Sequence, residues 1–375
     1  MRNISKYKVD KFILISIILF ALISIITIYS ASSIVPDDTN LVLKQIIWYI
    51  IGFGLAYFIM FIGNKTIYKN AWILYIIGNI LLVALLLFAE PINHSKCWFS
   101  IPGIGTIQPS EFMKIILIII LGKTIYDFND NFPNPTVKEE FYFLIKVGII
   151  VAIPSILTFL QPDTGVVMIY LIITICMLFV AGIRYRWFAL LATILLLLVG
   201  SVLLVYFISQ DLFIKIFGTS FFLRVDRLLD WSNKSGFQLE NGLNSIGSAG
   251  LLGHGFNKTP LYFPEAHTDF IFAVYASNFG LLGSVLLLGL ISFFDIKLIA
   301  TALKTNSNIN KYMIAGIVGM LLYQQFQNIS MTFGLMPITG ITLPYISYGG
   351  SSLLSYMIMM GIIFNISNES LRFTN

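Results

Sequence analysis

Long apolar runs constrain the fold of this chain more than any other feature of its sequence. A helix needs about 20 mostly apolar residues to cross a bilayer. About ten such runs occur, near residues 12–32, 46–63, 72–89, 110–126, 143–161, 165–182, 187–208, 270–294, 312–335 and 351–367. Only 11% of the 375 residues are charged, against about 25% in a soluble domain. We therefore predict a single domain, residues 1–375, folded as an all-α polytopic membrane protein with about ten transmembrane helices.

The distribution of Lys and Arg predicts the orientation, because short cytoplasmic loops carry an excess of these residues. With the N-terminus in the cytoplasm, the short outer loops hold only Lys44 and Lys96. The inner side holds fifteen basic residues: Arg2, Lys6, Lys8, Lys11, Lys65, Lys69, Lys123, Lys138, Lys146, Arg184, Arg186, Lys297, Lys304, Lys311 and Arg372. We therefore expect a protein of the cytoplasmic membrane with both termini inside. The long polar loop at about 209–269, between helices seven and eight, then lies outside.

Unusual polar residues concentrate on this predicted outer side. In "IQPSEFMK", Pro109 can begin a helix, and Glu111 suits its first turn. Lys114 lies three residues after Glu111 on the same helix face. A Lys inside lipid is costly unless it is paired or faces a cavity. These residues therefore permit either a structural ion pair or contact with a substrate anion.

Two further stretches place charged residues on the outer side. Asp163 in "QPDTG" is a candidate helix cap or functional acid. In "FLRVDRLLDW", Arg224 and Arg227 lie one helical turn apart, which suits either phosphate binding or an amphipathic helix at the membrane interface. The segment at 235–255, rich in Gly, Ser and Asn, suggests a re-entrant or closely packed stretch.

The stretch "PEAHTDF" places Glu265, His267 and Asp269 just before an apolar run. A carboxylate buried beside low-dielectric walls has a raised pKa, which suits a general base. The alternative role for Asp269 is a helix N-cap. The pattern also suggests a Mg²⁺ or Mn²⁺ site, although its spacing matches no known metal motif. Further on, "ISYGGSS" offers Ser347 and Ser351 beside glycines that permit close approach.

These motifs together resemble the SEDS family (shape, elongation, division and sporulation), which includes FtsW, RodA and SpoVE. The resemblance is carried, in the family's order, by Trp98 with "IQPSE..K", "QPDTG", the Gly236–Gln238 pair, "PEAHTDFIFAV" and "MPITGI.LP.ISYGGSS". It implies a peptidoglycan glycosyltransferase that polymerises lipid II on the outer face of the cytoplasmic membrane, in cell-shape, division or sporulation wall synthesis. It also implies a class B penicillin-binding protein as partner. We expect no nucleic-acid partner.

The resemblance implies roles for individual residues. Asp269 falls on the family's essential acid, and we predict it as the catalytic residue. The predicted substrate-binding residues are Lys114, Arg224, Arg227, Trp98, Glu111, Asp163, Glu265, His267, Gln238, Ser347 and Ser351. The chain departs from the family in two places. The basic pair before the tryptophan is Lys96-Cys97 here, and Ser277-Asn278 stands where the family usually has acids.

We expect Asp269 to deprotonate the acceptor sugar's 4-hydroxyl, which then displaces polyprenyl pyrophosphate from the donor with inversion. The alternatives are a lipid II flippase and a non-catalytic scaffold of a wall-synthesis complex. Transporters bind substrate near the membrane midplane, where this sequence is almost wholly apolar. The main exceptions are Gln324, Gln325, Gln327 and Asn328 in the ninth run. This asymmetry favours chemistry at the outer surface.

Overall fold

The computed structural model describes residues 7–35, 40–91, 96–101, 105–219, 221–222, 225 and 236–373. Within them lie thirteen helices: α1 (Lys11–Ser32), α2 (Leu41–Ile62), α3 (Asn64–Lys69), α4 (Ala71–Phe88), α5 (Pro109–Asn131), α6 (Val137–Leu160), α7 (Thr164–Val180), α8 (Tyr185–Ile208), α9 (Gln210–Phe217), α10 (Phe237–Gly247), α11 (Ile271–Lys304), α12 (Asn308–Thr332) and α13 (Gly350–Phe373). Two short antiparallel strands, β1 (Phe99–Ile101) and β2 (Gly105–Ile107), precede α5. Arg224 and Arg227 lie outside the described residues.

Seven of the described helices are long and apolar enough to cross a membrane: α1, α2, α4, α6, α8, α11 and α13. A further apolar helix, α7, has 17 residues. Helices α5 and α12 have 23 and 25 residues and carry more polar side chains. Each apolar run of the sequence overlaps one of these ten long helices. The prediction of a mostly helical membrane protein is thereby confirmed.

Local sequence signals explain several helix boundaries. Helix α5 begins with a proline at its first turn, where the missing N–H has no intrahelical partner. Helix α6 begins at a capping box formed by Thr136 and Glu139. Asp163 caps α7, because its Oδ1 accepts a hydrogen bond from the Val166 N–H at 3.2 Å. In contrast, α11 follows Phe270 without a side-chain cap, so the alternative reading of Asp269 as an N-cap is wrong.

Helices α5, α12 and α13 form the most buried part of the bundle. Small residues permit close helix contacts there, as is typical of membrane proteins. A Cβ added at Gly52 on α2 would lie 2.8 Å from Met357 on α13, and one at Gly319 on α12 would lie 2.6 Å from Cys176 on α7. Helix α8 is the opposite case, because Tyr206 is its only buried residue.

Helix α11 is interrupted at Gly280, which has non-helical angles of φ 64° and ψ −161°. The chain after α10 replaces the hydrogen bonds lost at this break. The N–H groups of Leu281 and Leu282 donate to the carbonyls of Gly250 and Leu251 at 3.0 and 3.1 Å. Irregular backbone inside a membrane protein persists where other protein groups cover it. The Gly-rich segment is thus packed closely against α11.

Ser277 and Asn278, the departure from the family pattern, lie beside this break. The Asn278 side chain donates to Ser30 Oγ at 2.5 Å and accepts from the Lys258 N–H at 3.3 Å. Ser277 Oγ lies 3.2 Å from His254 Nδ1. An amide both donates and accepts, whereas an ionised carboxylate only accepts. Neutral residues at these positions can therefore form hydrogen bonds that join α11 to α1 and to the packed segment.

Candidate active site

Asp269 lies in a tight turn immediately before α11 and is 6% exposed. The N–H groups of Thr268 and Phe270 both donate to the Glu265 carbonyl, at 3.2 and 3.1 Å. The Thr268 hydroxyl lies 2.6 Å from Glu265 Oε2 and 3.3 Å from Asp269 Oδ1. Glu265 itself is exposed and has a positive φ of 54°. The turn thus holds one buried and one exposed carboxylate on either side of a single hydroxyl.

The environment of Asp269 favours the protonated carboxyl. Burial, and after it the negative charge of Glu265, raise its pKa to about 7. Hydrogen bonds from its own backbone and from Thr268 oppose this shift. A general base is most effective when its pKa lies near the working pH. Asp269 therefore has the electrostatics of a residue that can exchange a proton at neutral pH.

The segment between α12 and α13 holds this turn in place. Ser347 Oγ donates to the Thr268 carbonyl at 2.6 Å and accepts from the Leu343 N–H at 2.8 Å. The Tyr348 N–H donates to the His267 carbonyl at 2.9 Å. Ser347 thus contacts the backbone of the Asp269 turn, and the role predicted for it as a substrate-binding residue stays a prediction.

A second charged cluster lies at the start of α5 and α7. The Lys114 ammonium is 2.7 Å from Glu111 Oε2, and the Lys114 side chain is 0% exposed. Its Nζ also lies 5.2 Å from the ring centroid of Tyr356 on α13, within the range of a cation–π interaction. Both possibilities left open by the sequence, an ion pair and a functional cation, are compatible with this arrangement. We refer to Gln108, Glu111, Lys114 and Asp163 as the lysine cluster.

Asp163 completes the lysine cluster. Gln108 Nε2 donates to its Oδ2 at 2.8 Å. The pKa of Asp163 is raised to about 6, mainly by burial and also by the negative charge of Glu111. The hydrogen bond from the Val166 N–H and the positive charge of Lys114 oppose this shift. The Gln108 N–H donates to Ser351 Oγ at 2.9 Å. The three charged side chains of the cluster therefore interact electrostatically, and Ser351 ties the cluster to α13.

The loop at 339–341 lies between the two sets of acids. A Cβ at Gly165, two residues after Asp163, would be 2.9 Å from the Thr339 carbonyl. The Asn328 side chain donates both to the Ile341 carbonyl, at 2.7 Å, and to the Asp269 carbonyl, at 2.8 Å. The structure therefore gathers Glu111, Lys114 and Asp163 in one group, and Glu265, His267, Asp269 and Ser347 in a second group across this loop.

The remaining predicted site residues within the described part of the chain, Trp98 and Gln238, lie outside these two groups. Trp98 is half-buried just before β1. The adjoining Cys97 thiol donates to the Gln161 carbonyl at 2.8 Å. Cys97, which departs from the family pattern, therefore packs against the "QPDTG" turn. Gln238 Nε2 donates to the Pro264 carbonyl at 3.1 Å. Gln238 therefore supports the chain leading to Asp269.

The suggestion of a Mg²⁺ or Mn²⁺ site in the stretch from Glu265 to Asp269 gains no support from this geometry. Among the residues that the structure describes, no three or more His, Cys, Asp or Glu side chains are grouped so that they could hold a metal ion. The His267 ring packs near Tyr348, with ring centroids 5.6 Å apart. Glu265, His267 and Asp269 thus do not converge as ligands, although they alternate along the sequence.

Four side chains contribute to the site without having been predicted: Thr268, Gln108, Asn328 and Tyr356. Thr268 and Gln108 lie inside the quoted motifs. Their closeness in sequence to Asp269 and Glu111 is the signal that could have identified them. Asn328 was visible only as a polar residue in an apolar run, because its contact with Asp269 spans 59 residues.

Comparison with known proteins identifies the family of this chain. The family model described as "Cell cycle protein", which covers FtsW, RodA and SpoVE, matches residues 10–372. The chain belongs to the FtsW/RodA/SpoVE family. The resemblance read from the motifs is thereby confirmed.

Several members of the FtsW/RodA/SpoVE family match over almost the whole chain. The probable peptidoglycan glycosyltransferase FtsW of Coxiella burnetii is 31% identical and aligns over 96% of both chains. Stage V sporulation protein E of Bacillus subtilis is 33% identical over 96% of this chain and 97% of its own. The peptidoglycan glycosyltransferase MrdB of Helicobacter pylori is 30% identical over 93% and 87%.

Solved structures in the family share the fold. One chain, from a peptidoglycan synthase complex described as coordinating polymerization and crosslinking, superposes with a TM-score of 0.79 and 26% identity, covering 96% of this chain and 98% of that one. RodA of Thermus thermophilus superposes with a TM-score of 0.69 and 26% identity, covering 96% of each chain. The helical architecture is therefore RodA-like.

Proposed function

We propose that this chain is a peptidoglycan glycosyltransferase that polymerises lipid II on the outer face of the cytoplasmic membrane, in wall synthesis for cell shape, division or sporulation. The observation that carries the proposal is the buried Asp269 carboxyl, with a pKa of about 7, at the end of a membrane helix. Relatives that match almost the full chain are named peptidoglycan glycosyltransferases, which supports the same activity here.

The proposed reaction is one inverting displacement. Asp269 accepts the proton of the acceptor sugar's 4-hydroxyl, and the oxygen forms a bond to the anomeric carbon of the donor. The bond from that carbon to the pyrophosphate breaks, and polyprenyl pyrophosphate leaves with the electron pair. Asp269 then releases its proton to water on the outer side. Positioned base catalysis contributes about 10²–10⁴-fold, and cations that stabilise the leaving group supply more.

The same proposal includes the membrane arrangement. The ten long helices would all cross the bilayer, with both termini in the cytoplasm and the chain between α8 and α11 outside. The basic residues of the short loops support this orientation. Lys114, Arg224 and Arg227 are proposed to bind the pyrophosphate, and a class B penicillin-binding protein is proposed as the partner. The similarity to a chain of a peptidoglycan synthase complex supports the partnership.

The first test uses the purified protein and fluorescently labelled lipid II. We expect glycan strands to accumulate when protein and lipid are combined in detergent or liposomes, with a higher rate in the presence of a class B penicillin-binding protein whose own transpeptidase serine is mutated. A second assay measures transfer of labelled lipid II between liposome leaflets. Transfer without strands would contradict the proposal and favour a flippase, and neither signal with partner binding intact would favour a scaffold.

The pH dependence of polymerisation should follow Asp269. Because the base must be ionised, kcat/KM is expected to rise with pH through about 7. Glu265→Gln removes the negative charge that helps to raise the pKa of Asp269, so the midpoint should shift to lower pH. Initial rates of wild type and Glu265→Gln between about pH 5 and pH 9 check this. A profile that is flat through neutrality would exclude Asp269 as the base.

A further inference from the structure

One turn of α12 carries four buried carboxamides that the proposed chemistry does not use. Gln324, Gln325, Gln327 and Asn328 are at most 7% exposed. Polar side chains inside a membrane protein are expensive and usually functional, and a polar midplane would also suit a transporter. The hydrogen-bond partners of these amides show whether the amides line a passage for substrate or hold segments of the protein together. We call residues 324–328 the carboxamide turn.

Each amide donates to a different part of the fold. Gln325 Nε2 donates to Asp295 Oδ1 on α11 at 3.3 Å, and Gln327 Nε2 donates to the Pro337 carbonyl at 2.9 Å. These two bonds join α12 to α11 and to the segment that follows α12. The amide donors are therefore committed to protein acceptors, which does not suit a polar passage for substrate.

Asn328 contacts the candidate catalytic turn directly. Its Nδ2 donates to the carbonyl of Asp269 itself at 2.8 Å and to the Ile341 carbonyl at 2.7 Å, and the side chain is 0% exposed. One amide thus fixes the backbone of the base against the loop that separates the two acid groups. A buried carbonyl that loses its donor favours a rearrangement that restores hydrogen bonding, so the position of Asp269 depends on Asn328.

Gln324 acts at the lysine cluster through one intermediary. Its Nε2 donates to the Tyr356 hydroxyl at 2.9 Å, and the Thr342 hydroxyl lies 3.4 Å from the same oxygen. The ring of Tyr356 lies below the Lys114 ammonium, with Nζ 5.2 Å from its centroid. Holding the hydroxyl holds the ring in position beneath the ammonium, and a cation–π contact depends on the distance between the cation and the ring centroid.

We propose that the carboxamide turn is a positioning element of the active site, in which Asn328 positions Asp269 and Gln324, through Tyr356, positions Lys114. The inference rests on the proposed function, because it assigns both groups to one reaction. A single rigid helix turn that holds the base and the cation sets their separation. Misplacing a reacting group by about 1 Å can reduce a rate about 10²-fold.

The test of the first contact compares Asn328→Leu with Asn365→Leu. Asn365 is a matched control: it is 2% exposed, and its Nδ2 donates to the Ile59 carbonyl and to Asn64 Oδ1, away from both acid groups. We expect similar losses of melting temperature in the two variants. Asn328→Leu should lower kcat at least about tenfold with KM little changed, and should move the acid limb of the pH profile to lower pH as Asp269 relaxes towards water. Asn365→Leu should retain kcat and the pH profile per folded molecule.

Tyr356 provides the second pair of variants and keeps the test decisive if Asn328→Leu does not fold. Tyr356→Leu removes the ring beneath Lys114, and at least about a tenfold loss of kcat/KM is expected. Tyr356→Phe keeps the ring and loses the hydroxyl contacts with Gln324 and Thr342, so it should show an intermediate loss of kcat/KM. Wild-type kcat/KM in the Tyr356→Phe variant would overturn the lysine arm of the proposal.

The outcomes also separate this inference from the proposed function. If Asp269→Ala is inactive while Asn328→Leu keeps the wild-type kcat and pH profile, the positioning role is wrong and the proposed reaction stands. If Asp269→Ala retains activity, the proposed function of Asp269 fails first, and the positioning role fails with it.

Discussion

Purified Asp269→Asn protein is expected to fold and to lose polymerisation of lipid II by a factor of about 10²–10⁴. Asparagine keeps the shape of the side chain and removes its ability to accept the proton of the acceptor hydroxyl. Asp269→Ala should be at least as defective. Glu265 shares the Thr268 hydroxyl with Asp269 but is exposed, so it would leave only a residual rate. Single-turnover measurements with labelled lipid II, at equal amounts of folded protein, give the comparison.

Stability against pH provides the control for this variant. A carboxyl whose pKa is raised on folding, from an ordinary value to about 7 for Asp269, stabilises the folded state relative to the unfolded state at low pH. This contribution is lost as pH rises through about 7. Asp269→Asn has no such titration, so its melting temperature should improve relative to wild type between pH 5 and pH 8. An inactive variant with this behaviour is folded, and full activity in it would sink the assignment of the base.

The sequence predicted those features that depend on runs and on local motifs. Each long apolar run overlaps a long helix, because burial in lipid requires about 20 apolar residues in series. The pairing of Glu111 with Lys114 followed from their spacing of three residues. The cap by Asp163 followed from a short polar residue before an apolar run. Such contacts are local, and residue order alone is enough to find them.

Contacts between distant residues could not be predicted in the same way. Asn328 reaches Asp269 across 59 residues, and Ser351 reaches Gln108 across 243. The break at Gly280 depends on the chain after α10 supplying its hydrogen bonds, which no local signal at 277–282 reveals. The Glu265–Asp269 stretch shows the same limit: alternation of Glu, His and Asp along a chain does not determine where their side chains point in a turn.

The lysine cluster yields the last prediction, from the pair Lys114→Met and Lys114→Met/Glu111→Gln. The single variant leaves Glu111 beside Asp163 without a cation, with Glu111 buried and Asp163 half-buried. Removing one partner of a buried ion pair typically destabilises by about 3–5 kcal/mol, whereas replacing both partners with neutral groups is often close to neutral. The single variant should therefore unfold at a clearly lower temperature, and the double variant should recover most of the difference.

Activity then separates the two roles that the sequence left open for Lys114. If the ion pair were only structural, the double variant would polymerise lipid II at the wild-type rate once folded. We expect it to remain reduced by about 10²–10³-fold, because a missing cation no longer stabilises the charge that develops on the leaving pyrophosphate. The Lys114 ammonium is held by one carboxylate at 2.7 Å and by the face of one ring. A pyrophosphate carries more negative charge than that single carboxylate and can draw the ammonium away from it.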